Sequence, residues 1–196
     1  MKIVSLSSNF FSVSIWTLAS RILGFVRDIL MAAFLGTGPL AEAFLVAFSL
    51  PNMFRRFFAE GALNMAFIPL FSKKLDVHTK EAHRFASETF VILGTGLLIL
   101  TILAQICMPV LVFSMASGFY GDGRFDQAID LGRITFPYIL FISLAALISG
   151  ILNASGKFKT AAAAPIILNI VLILSMISAD FLKLEISLAL AIAVPI

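Results

Sequence analysis

Apolar residues run along this chain in blocks long enough to cross a bilayer, which takes about 20 residues, and short polar stretches separate them. The first block extends from about Asn9 to Leu35, and the turn GTGPL at 36–40 closes it, because Gly and Pro punctuate helices. The second, from about Ala41 to Phe71, would be about 45 Å long as one helix, well beyond the roughly 30 Å of a hydrocarbon core. Pro51 and Gly61 are its expected break points. The polar stretch KKLDVHTKEAHR at 73–84 predicts a loop, followed by a third helix over Phe85–Met115. A second loop, SGFYGDGRFD at 117–126, leads to a fourth helix over Gln127–Asn153, kinked at Pro137. A fifth helix is expected over Thr160–Ala179. The last block, ISLALAIAVPI at 186–196, is too short to span, so a sixth helix, incomplete, is expected there. The pattern predicts an all-α, polytopic membrane helix bundle that forms an incomplete membrane domain.

Composition removes the soluble alternatives. The chain has 196 residues, 60% hydrophobic and 13% charged. A soluble domain carries about 45–50% apolar and about 25% charged residues. Net charge is +3, and its placement matters more than its size. With a cytoplasmic N-terminus, the inner segments hold Lys2, Lys73, Lys74, Lys80, Arg84, Lys157 and Lys159, while the outer loops hold only Arg124 and Lys183. Basic residues collect on the cytoplasmic side, so this orientation is expected and the reverse is not. The basic residues form no aromatic-laced loop patch, which argues against nucleic acid. Cys107 stands alone in an apolar run. His78 and His83 sit beside Lys80 and Arg84 without a ligand cluster, so neither a metal nor a cofactor is expected. An enzyme is not expected either, since the sequence offers no nucleophile–base pair or phosphate-binding glycine loop.

One stretch departs from the apolar pattern. SRILGFVRD at 20–28 places Arg21, Arg27 and Asp28 inside the first helix. Three such charges at a helix centre cost up to about 8–10 kcal/mol, so they are expected to face the bundle or a wet cavity rather than lipid. Arg21 and Asp28 lie seven residues apart and share a helix face. Arg27 is turned about 100° from Asp28, which predicts that the two do not form a simple ion pair. Arg27 then needs a partner from elsewhere, or a ligand. In PNMFRRFFAEGA at 51–62, Arg56 and Glu60 are spaced to pair, and Arg55 points away from them. Glu42 lies near the outer end of the same region. Such charges can also be structural pairs that lock helices, or interfacial residues that reach the head groups. The functional reading is a cationic surface on the first two helices. Guanidinium forks match phosphate oxygens and keep their charge, so a phosphate-bearing lipid or another anion is the natural ligand.

SRILGFVRD at 20–28 and AFLVAFSLPNMFRRFFAEGALNMAFIPLFS at 43–72 resemble the bacterial lipid II flippase family, MurJ, also called MviN. ITFPYILFISLAALISGILNASGKF at 134–158 and AAPIILNI at 163–170 fit the same family. The resemblance implies the first lobe, residues 1–196, of a two-lobe flippase of the multidrug, oligosaccharidyl-lipid and polysaccharide exporter superfamily, cut in its sixth helix. It implies a multi-pass protein of the bacterial cytoplasmic membrane, in contact with membrane lipids. It also implies movement of lipid II, the undecaprenyl-pyrophosphate-linked peptidoglycan precursor, to the outer leaflet by alternating access. Arg21, Arg27 and Arg55 match the family's functional arginines, and Asp28 and Glu60 fall on its polar positions. Glu42 stands where an aspartate is expected. The missing C-terminal lobe would be the partner, and the chain alone is expected to be inactive. A related exporter of another lipid-linked glycan and a non-transporting truncated membrane protein are the alternatives.

Overall fold

The computed structural model describes the backbone of residues 3–56 and 65–195, and the side chains of 14–56, 65–157 and 165–195. Eight α-helices follow one another among the described residues: α1 Ile3–Leu35, α2 Pro39–Arg55, α3 Ile68–Val77, α4 Thr79–Met115, α5 Gly123–Thr135, α6 Tyr138–Ala154, α7 Phe158–Leu182 and α8 Ile186–Ala193. A 3₁₀ turn at Ser117–Phe119 precedes α5. Three helical stretches among the described residues are long and apolar enough to cross a membrane: Thr79–Met115, Gly123–Ala154 and Pro165–Leu182. Their outward faces carry large apolar side chains, with Ile92, Ile106 and Val110 about 70% exposed. A lipid environment accepts that surface where water would not. The protein is an all-α membrane helix bundle.

The main core lies between α2, α4, α5, α6, α7 and α8, around Phe44, Leu50, Met108, Phe136, Ile139 and Met176. A smaller cluster at one end joins Phe67 and Phe71 to Ala82, Ala86 and Leu147. The rings of Phe67, Phe71 and Phe85 stack there, and Lys74 lies 5.6 Å from the Phe85 ring centre. This cluster changes the expected 73–84 loop. Helix α3 continues to Val77, only His78 adopts an extended conformation, and α4 starts at Thr79 rather than at 85. The segment TKEAHR is rich in helix formers, Ala82 buries against α3, and Arg84 pairs with Glu88 one turn on at 2.8 Å. Its polarity marks a helix end outside the apolar layer, not a loop. At 37 residues, α4 is about 55 Å long, so it must project beyond the roughly 30 Å core.

Prolines shape the helices that matter most below. Helix α2 does not break at Pro51 and runs on to Arg55, while the second expected break, at Gly61, lies outside the described residues. Pro51 has no N–H to give the carbonyl of Ala47, which an ordinary residue would satisfy. The hydroxyl of Thr135 on α5, fully buried, donates to that carbonyl at 3.2 Å and shares its proton with Gly132 O at 3.3 Å. Pro137 divides α5 from α6 and likewise strands the carbonyl of Arg133. The Nε2 amide of Gln105 on α4 donates to it at 2.8 Å. Close approach makes this reach possible: at Gly132 a Cβ would lie 2.9 Å from Met108 Sδ. Both carbonyls left by the prolines are thus satisfied by a side chain from a neighbouring helix, as a membrane interior without water requires.

Candidate functional site

Residues of both proline-bearing stretches line one cleft. Asn52 and Arg55 follow Pro51 on α2; Tyr138, Ile142 and Ser149 follow Pro137 on α6. Gly24 and Arg27 of α1 close a third side, and Leu168 and Asn169 of α7 the fourth. The space between them is about 490 Å³, within the usual range for a small-ligand site.

Arg27 is the best-defined member. Its side chain is 22% exposed, and its Nε and Nη2 donate to Asp28 Oδ1 at 3.0 and 2.8 Å. Its Nη1 donates to Oδ1 of Asn169 on α7 at 2.9 Å. The expectation that Arg27 and Asp28 do not pair is therefore corrected. Adjacent Cβ atoms do diverge by about 100°, but a guanidinium on three methylenes can swing along the helix surface to its neighbour. The expected partner from elsewhere exists as well, and it is a neutral amide. Three of the five Arg27 N–H groups are engaged among the described residues, which leaves donors for a further acceptor.

Arg55 borders the same cleft, half-buried, from the last turn of α2. Arg21 and Asp28 lie exposed on α1, outside the cleft lining, and Asp28 reaches it only through Arg27. Arg56 is exposed, and Glu60 lies outside the described residues. Glu42 sits at the far end of the bundle, where it pairs with Arg124 at the start of α5. Arg124 also pairs with Asp122 at 2.8 Å and covers the Phe119 ring at 4.5 Å. The Asp122 carboxylate caps α5 by accepting from the Arg124 backbone N–H at 3.0 Å. That bond, with the guanidinium beside it, holds the Asp122 carboxyl below its usual pKa. The structure thus brings together Arg27 and Arg55, and separates Glu42 from them.

Sequence reasoning passed over Asn169. It is 5% exposed, and besides accepting from Arg27 it donates from Nδ2 to the Ser20 carbonyl at 3.2 Å. A polar amide in the apolar run AAPIILNI was the available signal, since an unpaired amide in a membrane is costly. Tyr138, 6% exposed, is a second polar-tipped residue of the cleft that the charges overshadowed. The described residues hold no group of three His, Cys, Asp or Glu able to take a metal ion. Two guanidiniums on different helices, with amides and hydroxyls between apolar walls, suit an anion with several oxygens.

Comparison with known proteins fits this architecture. The family model described as "Lipid II flippase MurJ" matches residues 31–196. "Probable lipid II flippase MurJ" of Rhizobium tropici is 47% identical over 181 residues, which cover 91% of this chain and 34% of that protein. "Lipid II flippase MurJ" of Burkholderia cenocepacia is 38% identical over 164 residues, 83% of this chain and 32% of that one. A solved structure, "Lipid II flippase MurJ, inward closed conformation", matches with a TM-score of 0.76 at 31% identity, over 93% of this chain and 39% of that chain. This chain spans about a third of the length of the curated relatives it matches. It belongs to the lipid II flippase MurJ family.

Proposed function

We propose that this chain is the N-terminal lobe of a transporter that carries lipid II from the inner to the outer leaflet of the bacterial cytoplasmic membrane. One observation carries the reading: Arg27 of α1 and Arg55 of α2 converge on a single cleft. In this reading the pyrophosphate of the lipid binds the two guanidiniums, assisted by the Asn52 amide and the Tyr138 hydroxyl. The isoprenoid tail stays in lipid. The apolar cleft walls lower the local dielectric, so each charge acts more strongly than in water. Alternating access then requires the cleft to open to each side in turn, by movement against a second lobe. The N-terminus faces the cytoplasm, as the distribution of basic residues favours. Glu42 serves the far-end cluster with Arg124 rather than the substrate.

The reading is tested by replacing the matching third of the Rhizobium tropici relative with this chain. The chimera, inserted in the membrane as judged by fractionation, should restore growth to cells depleted of their own lipid II flippase. The chain alone should not. An inserted chimera that leaves the cells unrescued overturns the transport role; rescue by the chain alone overturns the need for a second lobe.

A further inference from the structure

We propose that Asn169 is a positioning residue that orients Arg27 for an anionic ligand without setting a second carboxylate against it. The inference rests on the cleft reading above and extends it to a residue on α7. Asn169 lies at the junction of α1 and α7, nearly enclosed, with both ends of its amide engaged. Oδ1 accepts from Arg27 Nη1 at 2.9 Å, and Nδ2 donates to the Ser20 carbonyl, almost two turns before Arg27 on α1. The amide is therefore fixed by the helix that carries the arginine. It holds the guanidinium from the side opposite Asp28, so the group cannot rotate about its long stem. Fixing a flexible arginine in advance lowers the ordering cost of binding.

The choice of a neutral acceptor has a chemical consequence. Arg27 already meets one carboxylate, Asp28, and the two charges balance. A carboxylate at position 169 would orient Arg27 equally well but set a second negative charge against the one guanidinium. It would also face the Ser20 carbonyl oxygen without a proton to share. An amide keeps the geometry and leaves the attraction for a phosphate intact.

The experiment uses the chimera purified in detergent, with farnesyl pyrophosphate as the probe. Each variant is compared with the unsubstituted chimera at the same pH. Asn169→Asp should weaken binding by about tenfold or more at neutral pH, the scale of one hydrogen bond to a charged group. Binding should recover as the pH falls and the new carboxyl protonates, since a protonated carboxyl again accepts from Arg27 and donates to Ser20 O. Asn169→Leu should weaken binding at every pH. Arg27→Gln reports on the cleft itself. If Arg27→Gln weakens binding while both Asn169 variants bind normally, the positioning role is overturned and the cleft reading stands. If Arg27→Gln binds normally too, the cleft reading falls and the positioning role with it. A loss in Asn169→Asp that is the same at every pH assigns the residue to helix packing and overturns the proposal.

Discussion

Two arginines of this bundle, one at a loop end and one at the cleft, have similar exposure, Arg124 at 28% and Arg27 at 22%, and they are partnered differently. Arg124 meets two carboxylates and an aromatic face, all at the loop end where α2 and α5 begin. Its charge is more than balanced by Glu42 and Asp122, so it has little left for an anion. Arg27 meets one carboxylate and one neutral amide, and borders an open cleft beside a second arginine. Composition and burial do not separate the two residues. The charge balance of their partners does: an arginine held by two carboxylates closes a fold, and one held by a single carboxylate and a neutral amide keeps donors for a ligand.

Charge reversal gives the largest expected effect. Arg27→Glu in the chimera should abolish rescue of flippase-depleted cells while the protein still reaches the membrane. Arg124→Gln should keep rescue and lower only the thermal midpoint. If Arg27→Glu supports full growth, or Arg124→Gln abolishes it, the distinction between the two arginines collapses.

An intermediate effect belongs to Thr135, a polar residue wholly consumed by the fold. Thr135→Val keeps the shape and removes the donor to the Ala47 carbonyl. An unsatisfied buried backbone acceptor costs about 1–3 kcal/mol, which thermal or denaturant unfolding of the purified chimera would register. Unchanged stability would mean that another donor reaches that carbonyl.

The smallest effect concerns acid. Asp122 has its pKa lowered by the Arg124 backbone N–H and guanidinium. Its contribution to stability is present above the ordinary carboxylate range and fades as the pH falls through the lowered value. Asp122→Asn should therefore flatten the acid side of the thermal-midpoint profile. A profile identical to that of the unsubstituted protein would show that this end is held by Glu42 and Phe119 instead.

Much of the fold was legible because bilayer spans demand long apolar runs, and the chain supplies them. The exception at 73–84 is instructive. A polar loop and the polar end of a long helix have the same composition, and only the packing of Ala82 and Ala86 against Phe71 distinguishes them. In the site, the convergence of Arg27 and Arg55 on one cleft is a tertiary fact that their spacing hinted at without locating. The Arg27–Asp28 contact was missed because a helical projection follows Cβ directions and ignores the reach of a long side chain. Asn169 was missed because a search for charge passes over a neutral amide, although its burial in apolar surroundings makes it as demanding of partners. Neither Thr135 nor Gln105 could be matched to its proline in advance, since each donor sits on another helix.

The Thr135 contact has a consequence for how this sequence can change over time. While Pro51 is present, losing the hydroxyl at 135 strands a buried carbonyl. If Pro51 is first replaced by a residue with an N–H, the Ala47 carbonyl gains its own helical donor and no longer needs the hydroxyl, which Gly132 O keeps satisfied until it too is lost. The two positions form a one-way gate: the proline can be lost before the threonine, but the threonine cannot readily be lost before the proline.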